Sequence, residues 1–321
     1  MKRVWFLIAL FFPLAGFCQG YPSKPIRLII PFAPGGASDF VGRIMQPKMQ
    51  DLLGQPIVVE NKPGAAGSIG MDYVAKSAPD GYTVFLGNIG SIAINPAVLP
   101  VQSADPLRDL VAITQVVDVP SVIIAHPSLP VSNVNELIAY AKANPGKLNY
   151  GSPGSGSVDR LVVEILRKVG GGLEMVHVPY KGGAGPAVAG LMGGETNLMS
   201  ATAASSLPGI RAGRLKALAV TSEKRMEQLP QTPTAKEEGY PDLTASSWQG
   251  LFVPTGTPKE AIDRLYDAAV KTLAMPDVVA RLATGGAFAV TSPSQAAFAD
   301  YVAAETKRWA RIAKESNATA D

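Results

Sequence analysis

The chain has 321 residues, of which 47% are hydrophobic and 17% are charged. This length favours two domains over one very large domain, and the apolar content excludes a wholly disordered protein. The formal net charge is only +3, and Lys and Arg form no run, so a nucleic-acid partner is not expected. Two His and one Cys offer little for metal or thiol chemistry, and we expect neither a metal site nor a cofactor.

The first twenty residues have the anatomy of an export signal. Two basic residues at positions 2 and 3 precede an uncharged run at positions 4–14, which is too short to cross a bilayer. We predict cleavage after Gly20, which would leave a soluble, exported chain without cysteine. A lipoprotein modified at Cys18 is disfavoured by the bulky Phe17 before it. A buried N-terminal helix is disfavoured by the prolines that follow Tyr21.

Short apolar runs alternate with helical patterns along the rest of the chain. Strands are predicted at residues 26–32, 57–60, 82–87, 121–126, 148–152, 175–180, 197–201, 215–221 and 250–254. Helices are predicted at residues 39–53, 134–143 and 158–169, and in the C-terminal part at 259–274 and 295–314, around a short run at 287–291. The alternation is typical of βαβ units. It predicts an α/β protein with largely parallel sheets covered by helices.

Several connections between strand and helix are rich in Gly and Ser. They lie at residues 33–39, 63–70, 151–157 and 181–185. In parallel sheets such loops share the carboxyl edge, where ligands bind, and the helix start offers free N–H groups to an anion. The phosphate motif G-x-x-x-x-G-K-[ST] is absent, and Asp159 replaces the last glycine of the nearest G-x-G-x-x-G. A carboxylate is therefore favoured over a nucleotide; the alternative is that these residues only build turns and caps.

Residues that could carry catalysis are scarce. The motifs G-x-S-x-G and H-E-x-x-H do not occur. His126 and His177 lie at or within apolar runs, and we interpret both as structural. Lys181 is expected to be exposed, although it opens a glycine loop, and Trp248 is expected in the core. No catalytic residue is predicted.

Five segments carry motifs that belong together: they are residues 25–36, 53–61, 79–83, 177–182 and 218–222. In this order they resemble the Bug receptors, the periplasmic substrate-binding proteins of tripartite tricarboxylate transporters. The similarity runs from about Tyr21 to the region of Trp309. The resemblance implies a two-domain periplasmic binding protein of the Venus-flytrap type (type II-like), with a ligand cleft between α/β lobes. Lobe one is expected at residues 21–118 plus 247–321, and lobe two at residues 119–246.

The resemblance also implies a function and a site. It implies an exported, periplasmic receptor, not an enzyme, that captures a small organic carboxylate in the cleft. Its partners would be the membrane permease subunits of the transporter, and the receptor itself would be a monomer. The loop after the first strand should hold one carboxylate, and lobe two should supply the facing contacts. The implied ligand-binding residues are Phe32, Ala33, Pro34, Gly35, Gly36, Ala37, Ser38, Asp39, Asn88, Ser91, Ser152, Gly154, Ser155, Gly156, Ser157, Thr202 and Ser205.

Two positions depart from the family pattern, and two other functions stay open. Arg160 stands where the family commonly has His, and Ser200 stands where a bulky Phe is frequent. Arg160 would contact a second carboxylate or lie on the surface. The alternative functions are a ligand-sensing co-receptor of a signalling system and, less favoured, an exported hydrolase or transferase.

Overall fold

The structure of the protein is a computed structural model, which describes residues 20–99, 103–154, 157–180 and 183–315. The predicted leader lies outside these residues except for Gly20. The predicted contacts Ser155 and Gly156 and the loop residue Lys181 also lie outside the described residues.

The described strands form two sheets. The strands are β1 (Ile26–Ile30), β2 (Ile57–Asn61), β3 (Thr83–Asn88), β4 (Leu110–Asp118), β5 (Ser121–Ala125), β6 (Leu148–Ser152), β7 (Met175–Pro179), β8 (Leu198–Thr202), β9 (Lys216–Val220), β10 (Gln249–Pro254) and β11 (Phe288–Ala289). The first sheet has the order β11-β4-β10-β3-β1-β2, and the second has the order β7-β6-β8-β5-β9. The chain passes from the first sheet to the second after β4 and returns after β9.

The described helices flank these sheets. They are α1 (Ala37–Leu53), α2 (Ser68–Ala75), α3 (Asn95–Val98), α4 (Pro106–Asp109), α5 (Val134–Ala143), α6 (Val158–Val169), α7 (Ala184–Met192), α8 (Ala203–Arg211), α9 (Lys259–Leu273), α10 (Pro276–Thr284) and α11 (Gln295–Glu315). Local chemistry explains several boundaries. Gly54, with φ of 70°, ends α1 in the left-handed conformation. Ser157 caps the start of α6, and Arg167 and Lys168 complement the dipole at its end.

Both sheets are mixed, so the prediction of largely parallel sheets is wrong. β1 is parallel to β2 and β3, whereas β10 is antiparallel to β3 and β4, and β11 to β4. β6 is parallel to β7 and β8, whereas β5 is antiparallel to β8 and β9. Parallel neighbours need a crossover within one sheet. β5 and β10 instead enter their sheets from the other sheet, and they run antiparallel to their neighbours.

Buried apolar side chains form a core for each sheet and a third core common to both. Ile30, Ile44 and Leu265 belong to the first-sheet core, and another cluster lies under the second sheet. The shared cluster contains Trp248 and Trp309, both fully buried, which confirms the core interpretation of Trp248. The indole N–H of Trp248 donates to Glu305 at 3.1 Å, and that of Trp309 donates to the same carboxylate oxygen at 2.9 Å. Helix α11 is thereby fastened to the segment that returns from the second sheet.

Candidate ligand-binding site

The loop after β1 exposes its backbone at the start of α1. Ala33, Pro34, Gly35 and Gly36 are exposed, and Gly35 adopts a φ of 85°. No side-chain hydrogen bond caps α1 at Gly36. The first N–H groups of an α-helix have no partner within the helix and carry a partial positive charge. This end of α1 can therefore receive an anion without a charged side chain.

Asp39, a predicted contact, is used to hold this loop together. Its Oδ2 accepts from the Gly35 N–H at 3.0 Å and from Arg43 Nε at 2.9 Å, and its Oδ1 accepts from Asn61 Nδ2 at 3.0 Å. Asn61 Nδ2 also donates to the carbonyl of Phe32 at 2.9 Å. Burial would raise the pKa of the Asp39 carboxyl, but hydrogen bonds from Arg43, Gly35 and Asn61 hold it below its usual value. Asp39 therefore stabilises the conformation of this loop.

The loops after β1, β2 and β3 converge at one edge of the first sheet. A Cβ atom on Gly67 would lie 3.1 Å from the Cβ of Ser91 and 3.3 Å from the ring of Phe32. We call these segments, residues 31–36, 62–67 and 88–91, the first-sheet loops. Ala65 and Ala66 in the second of them have φ of 45° and 52°, a conformation that costs a non-glycine residue energy. The predicted site omitted this loop, although its glycine content was the available signal.

Asn88 and Ser91, both predicted contacts, bond to each other. The Ser91 N–H donates to Asn88 Oδ1 at 3.0 Å, and the Asn88 N–H donates to Ser91 Oγ at 3.2 Å. The Ser91 hydroxyl donates to the Asn88 carbonyl at 3.1 Å, and Ser91 is fully buried. This pair fixes the turn after β3.

Two second-sheet loops carry the remaining predicted contacts: residues 153–157 after β6, of which 155 and 156 are not described, and residues 202–205 around the start of α8. Ser152 is fully buried at the end of β6, and its Oγ lies 2.7 Å from Nε2 of His177, which stacks on Tyr150. Gly154 has φ of 118°, and its N–H donates to Ser152 Oγ at 3.2 Å. The Ser157 hydroxyl donates to the Gly154 carbonyl at 2.7 Å. These serines therefore shape the loop.

The segment at Gly285 and Gly286, after α10, contacts the first turn of α1 and the first residue of α8. Thr202 Oγ1 and Ser205 Oγ are 3.0 Å apart, and no side-chain hydrogen bond caps α8 at Thr202. A Cβ on Gly286 would lie 2.7 Å from the Cβ of Ala203, and a Cβ on Gly285 would lie 2.6 Å from the ring of Phe40. The short segment after α10 thus touches α1 on one side and α8 on the other. It brings an uncapped helix start from each sheet to the same region.

A buried carboxylate at the start of α6 was not predicted. Asp159 is only 4% exposed, and its Oδ1 accepts from Ser121 Oγ at 2.7 Å and from Ser200 Oγ at 3.2 Å. Burial raises the pKa of this carboxyl to about 6, although both hydroxyls act to lower it. The helical spacing was the available signal, because the positions three, four and seven residues after Asp159 are all apolar.

Arg160 is buried, so the prediction that it lies on the surface is wrong. It is 8% exposed, and its Nε lies 3.9 Å from Oε1 of Glu164, which also accepts from the Tyr150 hydroxyl at 2.5 Å. Ser200 is fully buried as well and donates to Asp159. We call residues 119–246, which carry the second sheet, the second-sheet side. Both departures from the family pattern therefore lie in its interior.

Two mixed α/β sheets joined by two crossings are the architecture of a periplasmic binding protein. The description of the matching family is more specific, and its model matches residues 41–318. The chain belongs to the tripartite tricarboxylate transporter receptor family, which confirms the resemblance to the Bug receptors.

Relatives and solved structures agree with this assignment. The chain is 37% identical to BugT of Bordetella pertussis over 99% of this chain and 98% of BugT. It is 32% identical to Rpa4515 of Rhodopseudomonas palustris, solved with adipate, with a TM-score of 0.86 over 93% of this chain and 99% of that one. It is 30% identical to MatC of the same organism, solved with bound malate, with a TM-score of 0.82 over 91% and 99%.

Two further observations concern the described residues only. None of their helices combines the length and apolar composition that a membrane span requires. No group of three or more His, Cys, Asp or Glu side chains within them could hold a metal ion.

Proposed function

We propose that this protein is an exported receptor that binds a small organic carboxylate between its two sheets for a tripartite tricarboxylate-type transporter. The observation that carries the proposal is the exposed, uncapped start of α1 at Gly36, which lies across the segment at Gly285 and Gly286 from the uncapped start of α8. Backbone N–H groups at such positions suit a carboxylate. The adipate and malate in the two related structures support this ligand class.

The two sheets would act as two lobes, residues 21–118 plus 247–321 and residues 119–246. The segments that cross between them lie side by side, because the Ser247 N–H donates to the Val119 carbonyl at 2.8 Å and Pro120 pairs with Ser246. Rotation about these segments would open and close the cleft. A ligand that touches both lobes only in the closed form shifts the equilibrium towards it. The membrane subunits would then recognise the closed monomer.

The proposed contacts favour binding over chemistry. Backbone amides and hydroxyls hold a carboxylate without a full countercharge, so binding avoids the desolvation cost of a buried ion pair and release stays possible. Asp39, a carboxylate beside the first-sheet loops that could act as a base, is instead held by Arg43 and Asn61. The ligand would leave unchanged.

Mass spectrometry of the molecule that co-purifies with the protein, followed by thermal shift against a carboxylate panel, tests the proposal. Ligand at about 100 times its Kd should add about 2.7 kcal/mol to the free energy of unfolding. We expect at least one carboxylate to raise the melting temperature and to be recovered unaltered after incubation. Conversion of the ligand would indicate a hydrolase or transferase, and the failure of every carboxylate to bind would refute the proposal.

A further inference from the structure

Asp159 lies where three parts of the proposed cleft meet. It is in the first turn of α6, directly after the second-sheet loop 153–157. Its partner Ser121 opens β5, immediately after the segment that crosses from the first sheet. Its other partner, Ser200, lies in β8, two residues before the uncapped start of α8 at Thr202. The carboxylate therefore lies between the start of α6, the start of β5 and β8, close in sequence to the crossing from the first sheet.

The charge of this carboxylate is incompletely compensated within the described residues. Only Oδ1 accepts hydrogen bonds there, and both come from neutral hydroxyls. Two basic groups of the same helix pair with Glu164 instead: Arg160 Nε lies 3.9 Å from its Oε1, and Arg167 Nη1 lies 2.8 Å from its Oε2. No ion pair to Asp159 occurs in the described part of the chain.

A buried carboxylate of this kind is costly for the protein alone. Removing a carboxylate from water is unfavourable unless a cation or enough donors replace the water. Burial accordingly raises the pKa of the Asp159 carboxyl to about 6, so at neutral pH the group is largely ionised. Perturbed groups of this kind concentrate at functional sites. A cationic group on the ligand would supply what the protein lacks.

We propose that Asp159 is a specificity-determining residue whose free carboxylate oxygen accepts a hydrogen bond from a protonated amine of the ligand. This inference rests on the proposed function, since the first-sheet loops would hold the ligand's carboxylate. The ligand class is then an amino carboxylate. A plain dicarboxylate would place its second negative charge near that of Asp159, and like charges at close range disfavour binding.

Isothermal titration with matched ligand pairs tests this assignment. Each pair replaces one terminal carboxylate by an ammonium group: succinate and β-alanine, glutarate and 4-aminobutyrate, adipate and 5-aminopentanoate. In the best-binding pair we expect the wild-type protein to bind the amine at least tenfold more tightly. Asp159→Asn should reduce this ratio at least tenfold while it binds the dicarboxylate as well as, or better than, the wild type does. The exposed second-sheet-side variant Asp242→Asn, which also removes one negative charge, should keep the wild-type ratio.

The outcomes separate this inference from the proposed function. Preference for the dicarboxylate in every pair, or an equal ratio in the wild type and Asp159→Asn, would overturn the role of Asp159 and leave carboxylate binding intact. If none of the amines or dicarboxylates binds, both proposals fail. Preference of the wild type for the dicarboxylate would refute the role of Asp159 even if Asp159→Asn does not fold.

Discussion

The loops of the two sheets differ in what they expose. The first-sheet loops present backbone, at Ala33 to Gly36 and around Ala65 and Ala66, while the polar side chains of Asp39 and Ser91 are turned to local bonds. The second-sheet side instead buries a polar group, Asp159, with hydroxyls around it. Backbone donors recognise any carboxylate, whereas a buried side chain such as Asp159 can distinguish one ligand from another. We infer that the first-sheet loops provide affinity for carboxylates in general, and that the second-sheet side provides selectivity among them.

Replacing Gly35 by Val should have the largest effect, because it would block the backbone groups that we propose to bind the carboxylate of any ligand. Gly35 has φ of 85°, and apart from its chain neighbours no described residue has an atom within 4 Å of the position that a Cβ would take. The valine side chain would therefore occupy open space at the exposed loop before α1. We expect carboxylate affinity to fall at least about 1,000-fold, or about 4 kcal/mol. The left-handed backbone should cost about 1–2 kcal/mol of stability. Titration calorimetry measures the first effect, and urea unfolding measures the second.

Gly54→Val is the matched control. Gly54 has φ of 70° and equally open surroundings, but it lies at the opposite end of α1. Its stability cost should be similar, with affinity unchanged. Equal loss of affinity in both variants would show that backbone strain, and not occupation of the site, weakens binding.

The sequence predicted the helices and strands better than it predicted the hydrogen-bond partners of the side chains. The helix Val134–Ala143, the helix Val158–Val169 and the strand Leu148–Ser152 have the predicted bounds, because apolar periodicity and caps are local signals. Strand β4 was missed because the polar Thr114 and Gln115 interrupt its apolar pattern, although both are buried. Helix α10 was also missed in the C-terminal part.

The site shows the same limit. The glycine turn before α1 could be predicted from composition, because glycine adopts a positive φ such as that of Gly35 without steric cost. The hydrogen-bonding roles of Ser152 and Ser157 were not predicted, because the sequence alone does not show which group a serine hydroxyl bonds to. Ser152 bonds to a histidine 25 positions away, and Ser157 caps its own helix. Such assignments depend on tertiary contacts.

The second-sheet carboxylate should make stability depend on pH, an effect somewhat smaller than that expected for Gly35→Val. The folded-state pKa of Asp159, about 6, lies above its usual 3.8. Its protonation therefore stabilises the fold below about pH 4, and this stabilisation is lost as pH rises through about 6. At about 1.4 kcal/mol per pH unit, the loss approaches about 3 kcal/mol by pH 8. Asp159→Asn should escape this loss.

Urea unfolding of the wild type and Asp159→Asn at pH 4 and pH 8 measures this dependence. The advantage of the variant in free energy of unfolding should be larger at pH 8 than at pH 4. The same difference in free energy of unfolding at both pH values would show that other groups in the fold already compensate the charge of Asp159. The proposed division between general carboxylate binding by the first-sheet loops and selectivity on the second-sheet side would then not hold.

Amide hydrogen exchange, with and without the carboxylate that most raises the melting temperature, examines most directly whether a ligand is held between the two sheets. Exchange should slow in peptides that cover residues 33–39 at the start of α1 and residues 202–206 at the start of α8, and stay unchanged at the outer helix α9. Protection of a remote surface, with both helix starts unaffected, would contradict binding between the sheets.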